Sequence, residues 1–152
     1  MSLDLAQSIA GLSSRWSSRF SPSKKLPEHI RRGVRGEKLA CRFLRRNGYK
    51  ILYRNFRGRR GGEIDIVCRD NDTLVFVEVK TRGREDFGRP VEAIGFDQRR
   101  RISQGGLAWL RLLDNPDIVF RFDVVEVVIA DNAKPRLALV RNAFHLSKPY
   151  IY

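Results

Sequence analysis

Two hydrophobic periods alternate along the chain. From His29 to Asn47 the apolar residues follow a helical spacing, with Ile30, Val34, Cys41 and Leu44 on one stripe. Arg31, Arg32, Arg35, Lys38, Arg42, Arg45 and Arg46 fall on the outer face, and Gly48 supplies a stop just past the end. Tyr49–Phe56 reads as a strand. The Gly/Arg segment Arg57–Gly62 follows it as a loop, and Glu63–Arg69 and Leu74–Lys80 are two more strands, joined by the turn residues Asp70, Asn71 and Asp72. After a basic loop at Thr81–Pro90, helical spacing returns from Phe96 to Leu113, with Ile102, Gly106, Trp109 and Leu113 on one face. Gly105 and Gly106 each weaken that helix by about 1 kcal/mol, which points to a close approach to the sheet there. Val119–Ile129 is nearly continuously apolar, the pattern of a strand buried on both faces, and Arg136–Arg141 is a further short strand. The order helix, three strands, helix, one or two strands predicts an α/β domain with a mixed sheet flanked by helices.

Residues 1–28 stand apart as an N-terminal arm before a domain at 29–152. They are rich in Ser and include Pro22 and Pro27. Leu3, Ala6, Ile9, Ala10 and Trp16 allow a short amphipathic helix, and a mobile arm fits equally well. Arg15 and Arg19 follow the weakly apolar stretch instead of preceding it, unlike a signal peptide.

Composition narrows the partners. The 152 residues carry 30 Lys plus Arg against 17 Asp plus Glu, a net charge of +13. A hydrophobic fraction of 42% excludes a disordered basic tail. No apolar run reaches the ~18 residues of a membrane span. The excess charge predicts a polyanionic partner, nucleic acid before membrane. Cys41 and Cys68 lack CxxC spacing and read as two reduced core thiols, so a cytoplasmic setting is the expectation.

The chemistry concentrates in Gly62-Glu63-Ile64-Asp65-Ile66 and Phe76-Val77-Glu78-Val79-Lys80. Strand alternation puts Glu63 and Asp65 on one face and Glu78 and Lys80 on one face. With the turn at Asn71-Asp72 and Asp70 paired to Thr73, Asp65 falls opposite Glu78 and Glu63 opposite Lys80. Opposed residues hold their Cβ atoms about 5 Å apart, and two like charges there need neutralising. Mg²⁺ or Mn²⁺ would do so through a couple of carboxylates while keeping several waters. Lys80 would orient or deprotonate an attacking water, or stabilise charge on a phosphate. That set is sufficient for metal-assisted phosphodiester hydrolysis. Glu37, a carboxylate within an apolar helical stripe, is costly to bury alone and could reach the same metal. The competing reading pairs Glu37 with an arginine and leaves Asp65 and Glu78 in surface ion pairs. His29 and His145 are isolated, no Ser or Cys has a His/Asp arrangement for nucleophilic catalysis, and no GxxxxGK[ST] loop is present.

Gly36-Glu37-Lys38-Leu39-Ala40, Gly48-Tyr49, Arg54-Asn55, Gly62-Glu63-Ile64-Asp65, Val75 to Arg82 and Arg121-Phe122-Asp123-Val124-Val125 together resemble the bacterial YraN family. That family is uncharacterised in function and is placed with the PD-(D/E)XK, restriction-endonuclease-like nucleases, whose members include the archaeal Holliday junction resolvases. The resemblance implies a restriction-endonuclease-like core, with Asp65, Glu78 and Lys80 as the Asp…Glu-x-Lys set and Glu37 as the helix carboxylate. Ile64 stands where many such folds carry Pro. Gln98 stands near where many relatives carry a lysine, and Arg99, Arg100 and Arg101 beside it could take over its phosphate contact.

The expectation is a Mg²⁺- or Mn²⁺-dependent nuclease acting on DNA in preference to RNA, with branched DNA as one substrate class. Asp65, Glu78 and Glu37 would hold metal, Lys80 would act on the water, and Glu63 would serve as a partner of Lys80 or an extra ligand. Arg57, Arg59, Arg60, Arg82, Arg84, Arg99, Arg100 and Arg101 flank the acids in sequence and suit phosphate contacts. A homodimer would let two sites address two strands. The alternatives are a nucleic-acid-binding protein that keeps the nuclease fold without catalysis, and an RNA- or ribosome-associated basic protein.

Overall fold

A computed structural model of the protein describes residues 26–83 and 94–150. The expected arm residues Leu3 to Trp16, and Arg84 in the basic loop, lie outside the described residues.

The order is α1 (Glu28–Arg46), β1 (Lys50–Arg57), β2 (Glu63–Asp70), β3 (Thr73–Arg82), α2 (Phe96–Leu112), β4 (Phe120–Val128) and β5 (Arg136–Phe144). The five strands form one sheet in sequence order. The pairs β1–β2, β2–β3 and β4–β5 are antiparallel, and β3–β4 is parallel. The parallel pair requires a crossover, and α2 provides it.

One helix covers each face. Beneath α2 lie Phe56, Ile64, Phe76, Phe122 and Phe144 with the helix's own Ile102, Trp109 and Leu110. Beneath α1 lie Ile66, Cys68, Val75, Val77, Val125 and Val127, with Ala40, Cys41 and Leu44 from the helix. Thus β4 feeds both cores, as its continuous apolar run predicts. Both cysteines are buried and free.

Two glycine contacts set the helix heights. A Cβ on Gly105 would come within 2.9 Å of the Glu63 backbone, and one on Gly106 within 3.1 Å of Phe76 and Phe122. These explain the Gly-Gly pair in the middle of α2. On the other face, a Cβ on Gly36 would collide with Thr81 Oγ1, so α1 rests directly on the end of β3.

The first half of α1 departs from the helical pattern. Ile30 and Val34 are 41% and 40% exposed, whereas Cys41 and Leu44 are buried. The stripe is continuous in sequence, but the helix's first two turns overhang the sheet.

Candidate active site

The β2–β3 hairpin fixes the site. Asn71 takes φ 52° in the turn, a value Asn tolerates, and Asp70 pairs with Thr73. The ladder then runs in the expected register up to Ile66↔Val77. There it stops, one step before Asp65 and Glu78. Ile64 packs beneath α2 while Ile66 packs beneath α1, so β2 loses its strict alternation at Asp65. The carboxylate of Asp65 takes over from the ladder: Val79 N–H donates to Asp65 Oδ2 at 2.8 Å.

The Asp65 and Glu78 carboxyls come within hydrogen-bond reach of each other. Burial first, and the neighbouring Glu78 second, push the Asp65 carboxyl up to about 8, although the Val79 N–H opposes this. Burial also raises Glu78, against the pull of Lys80. Lys80 Nζ lies 3.2 Å from Glu78 Oε1. A half-buried and a buried acid therefore share one ammonium.

Gln98 at the start of α2 ties this group together. Its Oε1 accepts from Lys80 Nζ at 2.6 Å, and its Nε2 donates to Glu78 Oε1 at 2.5 Å. An amide can do both at once, whereas a lysine could only donate. Expected only near a phosphate contact, Gln98 instead bridges the acid and the amine. Its sequence signal was a polar residue one turn before Ile102, on the buried face of the helix.

Above these groups opens a cavity of about 390 Å³, lined by Glu37, Asp65, Glu78, Lys80, His29 and Arg32 among others. A second, of about 190 Å³, adjoins it through Glu37 and Asp65 and is bordered by Asn55, Arg57 and Glu63. Glu37 thus reaches the site from α1, held there by the Gly36 contact. His29, unremarkable in the sequence, also borders the larger cavity.

Glu63 has other partners than Lys80. It lies 3.9 Å from Arg57 Nε and 3.8 Å from Arg101 Nη1. The flanking arginines divide. Arg57, Arg59, Arg60, Arg100 and Arg101 are exposed. The loop carrying Arg59 and Arg60 is pinned to α2 by Gln104 Nε2 donating to Arg60 O at 2.8 Å. Arg82 instead pairs with Glu126 at 3.5 Å. Arg99 donates to Ile94 O at 2.9 Å and lies over the Phe144 ring at 5.8 Å.

A divalent ion fits this donor set. Hard carboxylate oxygens suit Mg²⁺ or Mn²⁺, and the two raised acids lack a full countercharge. Among the described residues, no three His, Cys, Asp or Glu side chains form a ready-made ligand cluster. Glu37 borders the cavity without completing one. Mg²⁺ sites commonly use one or two carboxylates with waters and substrate phosphates, so the pair suffices.

The uncharacterised protein family UPF0102 matches residues 36–127 of the chain, from Gly36 within α1 to the end of β4. The chain belongs to that family. A UPF0102 protein of Geobacter sulfurreducens is 49% identical over 115 residues, covering 76% of this chain and 89% of that protein. One from Nocardia farcinica is 45% identical over 112 residues, covering 74% and 87%. Another, from Pelobacter propionicus, is 42% identical over 130 residues, covering 84% and 92%. Among the described residues no helix is long and apolar enough to cross a membrane.

Proposed function

We propose that this UPF0102 protein is a Mg²⁺- or Mn²⁺-dependent nuclease of restriction-endonuclease-like fold that hydrolyses phosphodiester bonds in DNA. The observation that carries the reading is the Asp65–Glu78 pair: a half-buried and a buried carboxyl lining one open cavity, beside one lysine. Metal-dependent sites bring carboxyls together in this way, and a raised carboxyl lining a cavity is a mark of a functional site. The resemblance of the Asp…Glu-x-Lys spacing to PD-(D/E)XK nucleases supports the same reading.

Asp65 and Glu78 would hold the ion, which when bound polarises the phosphoryl oxygen and favours ionisation of a coordinated water. Asp65 is fixed for this by Val79 N–H. Lys80 is held at the cavity floor by Gln98, where its ammonium orients the attacking water or meets negative charge growing on the phosphate. Glu63, between Arg57 and Arg101, keeps two phosphate-binding guanidiniums near the cavity mouth. No base-reading motif is evident, so selection by nucleic-acid structure is favoured over selection by sequence.

The experiment is cleavage of duplex, single-stranded and branched DNA under Mg²⁺ or Mn²⁺ titration, with Asp65→Ala and Lys80→Ala alongside. Cleavage of at least one substrate, lost in both variants, is expected. If wild type and Asp65→Ala are equally inert on every substrate, the proposal fails. The exposed Arg57, Arg59, Arg60, Arg100 and Arg101 favour a second reading, a DNA-binding protein without catalysis. Calorimetry separates the two: Mn²⁺ uptake that disappears in Asp65→Ala supports the nuclease, and its absence in wild type supports the binder.

A further inference from the structure

A further cavity lies beside the site, not in it. It measures about 480 Å³ and is lined by Glu28, Arg31, Arg32, Arg35, Ile129 and Asp131. Arg32 also lines the cavity above Asp65 and Glu78. That cavity in turn shares Glu37 and Asp65 with the smaller one beside Arg57. The three form a chain running beneath α1, with the acids and Lys80 in the middle. The first two border the carboxyl end of the parallel pair β3–β4, where Ile129 N–H donates to Arg82 O at 2.8 Å. Open α/β sheets commonly bind ligands at that end.

The arginines of this cavity differ in their commitments. Arg32 bonds Glu28 Oε1 at 2.6 Å and packs its guanidinium against Gly83. Arg31 and Arg35 are exposed, and neither has an ion-pair or hydrogen-bond partner among the described residues. The acids of the lining are Glu28, answered by Arg32, and Asp131. The two free arginines are four positions apart, so both face the same side of α1.

We propose that Arg31 and Arg35 form a backbone-phosphate subsite for the DNA strand that crosses the active site. This deepens the nuclease reading and rests on it. Guanidinium forks match phosphate oxygens, and neither arginine would have to break a protein contact to bind one. Arg31 stands about 9 Å along the helix axis from Glu37. One strand of a duplex advances about 3.4 Å per nucleotide. By the same measure Arg35 stands about 3 Å from Glu37, so the subsite takes phosphates about one to three nucleotides from the scissile bond, on the side opposite Arg57.

The test is fluorescence anisotropy of the full-length chain with a fluorescein-labelled DNA duplex in EDTA, over a salt series. Arg31→Gln/Arg35→Gln should weaken binding about tenfold and lower the slope of log affinity against log salt by about 1.8, the share of two phosphates. Arg42→Gln/Arg46→Gln removes equal charge from the far half of the same helix and should leave both readouts near wild type. Equal effects of the two double variants, or none from the first, overturn the subsite while wild-type cleavage leaves the nuclease reading standing. Absence of DNA binding by wild type removes both. Tighter binding of an RNA duplex of the same sequence overturns DNA as the occupant.

Discussion

Two groups of buried charge sit at opposite ends of β3 and β4, and they are built to opposite rules. At the amino end, Asp123 is fully buried and accepts from Arg121 Nε at 2.9 Å and from Asn142 N–H at 2.8 Å. Asp70 accepts from Arg121 Nη2 at 2.8 Å and from Arg141. Arg121 also reaches Tyr49 Oη at 3.0 Å. Two carboxylates there meet two guanidiniums. At the carboxyl end, Asp65 and Glu78 share only Lys80, with Glu37 and Glu63 adding further negative potential at Asp65. The first group locks the hairpin and β5 to the sheet. The second is left with a deficit of positive charge.

Arg121→Ala should have the largest effect. It strands Asp123 without its countercharge, and urea unfolding should show a loss of about 3–5 kcal/mol. A loss below about 1 kcal/mol would mean the amino-end group is not what fastens β5. The carboxyl end should respond in the opposite direction. Because Asp65 binds its proton more tightly folded than unfolded, the metal-free protein should lose stability as pH rises from about 4 to about 8. Asp65→Asn keeps an acceptor for Val79 N–H and abolishes that loss. It should be more stable than wild type by about 3 kcal/mol at pH 8, with the gap closing toward pH 4. Identical pH profiles would refute the contrast between the two ends.

An ion should remove the deficit as the mutation does. At 100 times its dissociation constant, Mn²⁺ should raise wild-type stability by about 2.7 kcal/mol and leave Asp65→Asn/Glu78→Gln unmoved. Uptake should strengthen as pH rises, because the raised acids must give up protons. The smallest predicted change belongs to Gln98→Ala. It should slow cleavage about tenfold, or about 1.4 kcal/mol, and displace the pH–rate profile by removing the amide that bonds both Lys80 and Glu78. A rate change without a profile change would make Gln98 a packing residue only.

The strand alternation and the Asp-Asn-Asp turn made the hairpin register legible, and the Gly-Gly pair made the close approach of α2 legible. Periodicity could not tell where the ladder would end, because Asp65 leaves it to take a backbone N–H from the facing strand. Helical spacing likewise identified the α1 stripe without revealing the overhang that exposes Ile30 and Val34, since that depends on sheet width beneath the helix. The same spacing placed Glu37 on its face, where it is half-buried and lines two cavities, and a carboxylate within an apolar stripe was the warning there. Gln98 carried an equivalent warning one turn before Ile102. Its double bond to Lys80 and Glu78 depends on how α2 crosses the sheet. Arg82 and Arg99 show why a run of arginines is weak evidence for a surface: a neighbouring acid, carbonyl or ring can claim them.

A hydrogen atom in place of a methyl group at position 36 lets α1 settle onto Thr81. Everything that roofs the trough is carried by the same rigid rod, so Glu37 and the arginines of its first turns share one vertical coordinate. Lifting that rod by the width of a methyl would raise them all together.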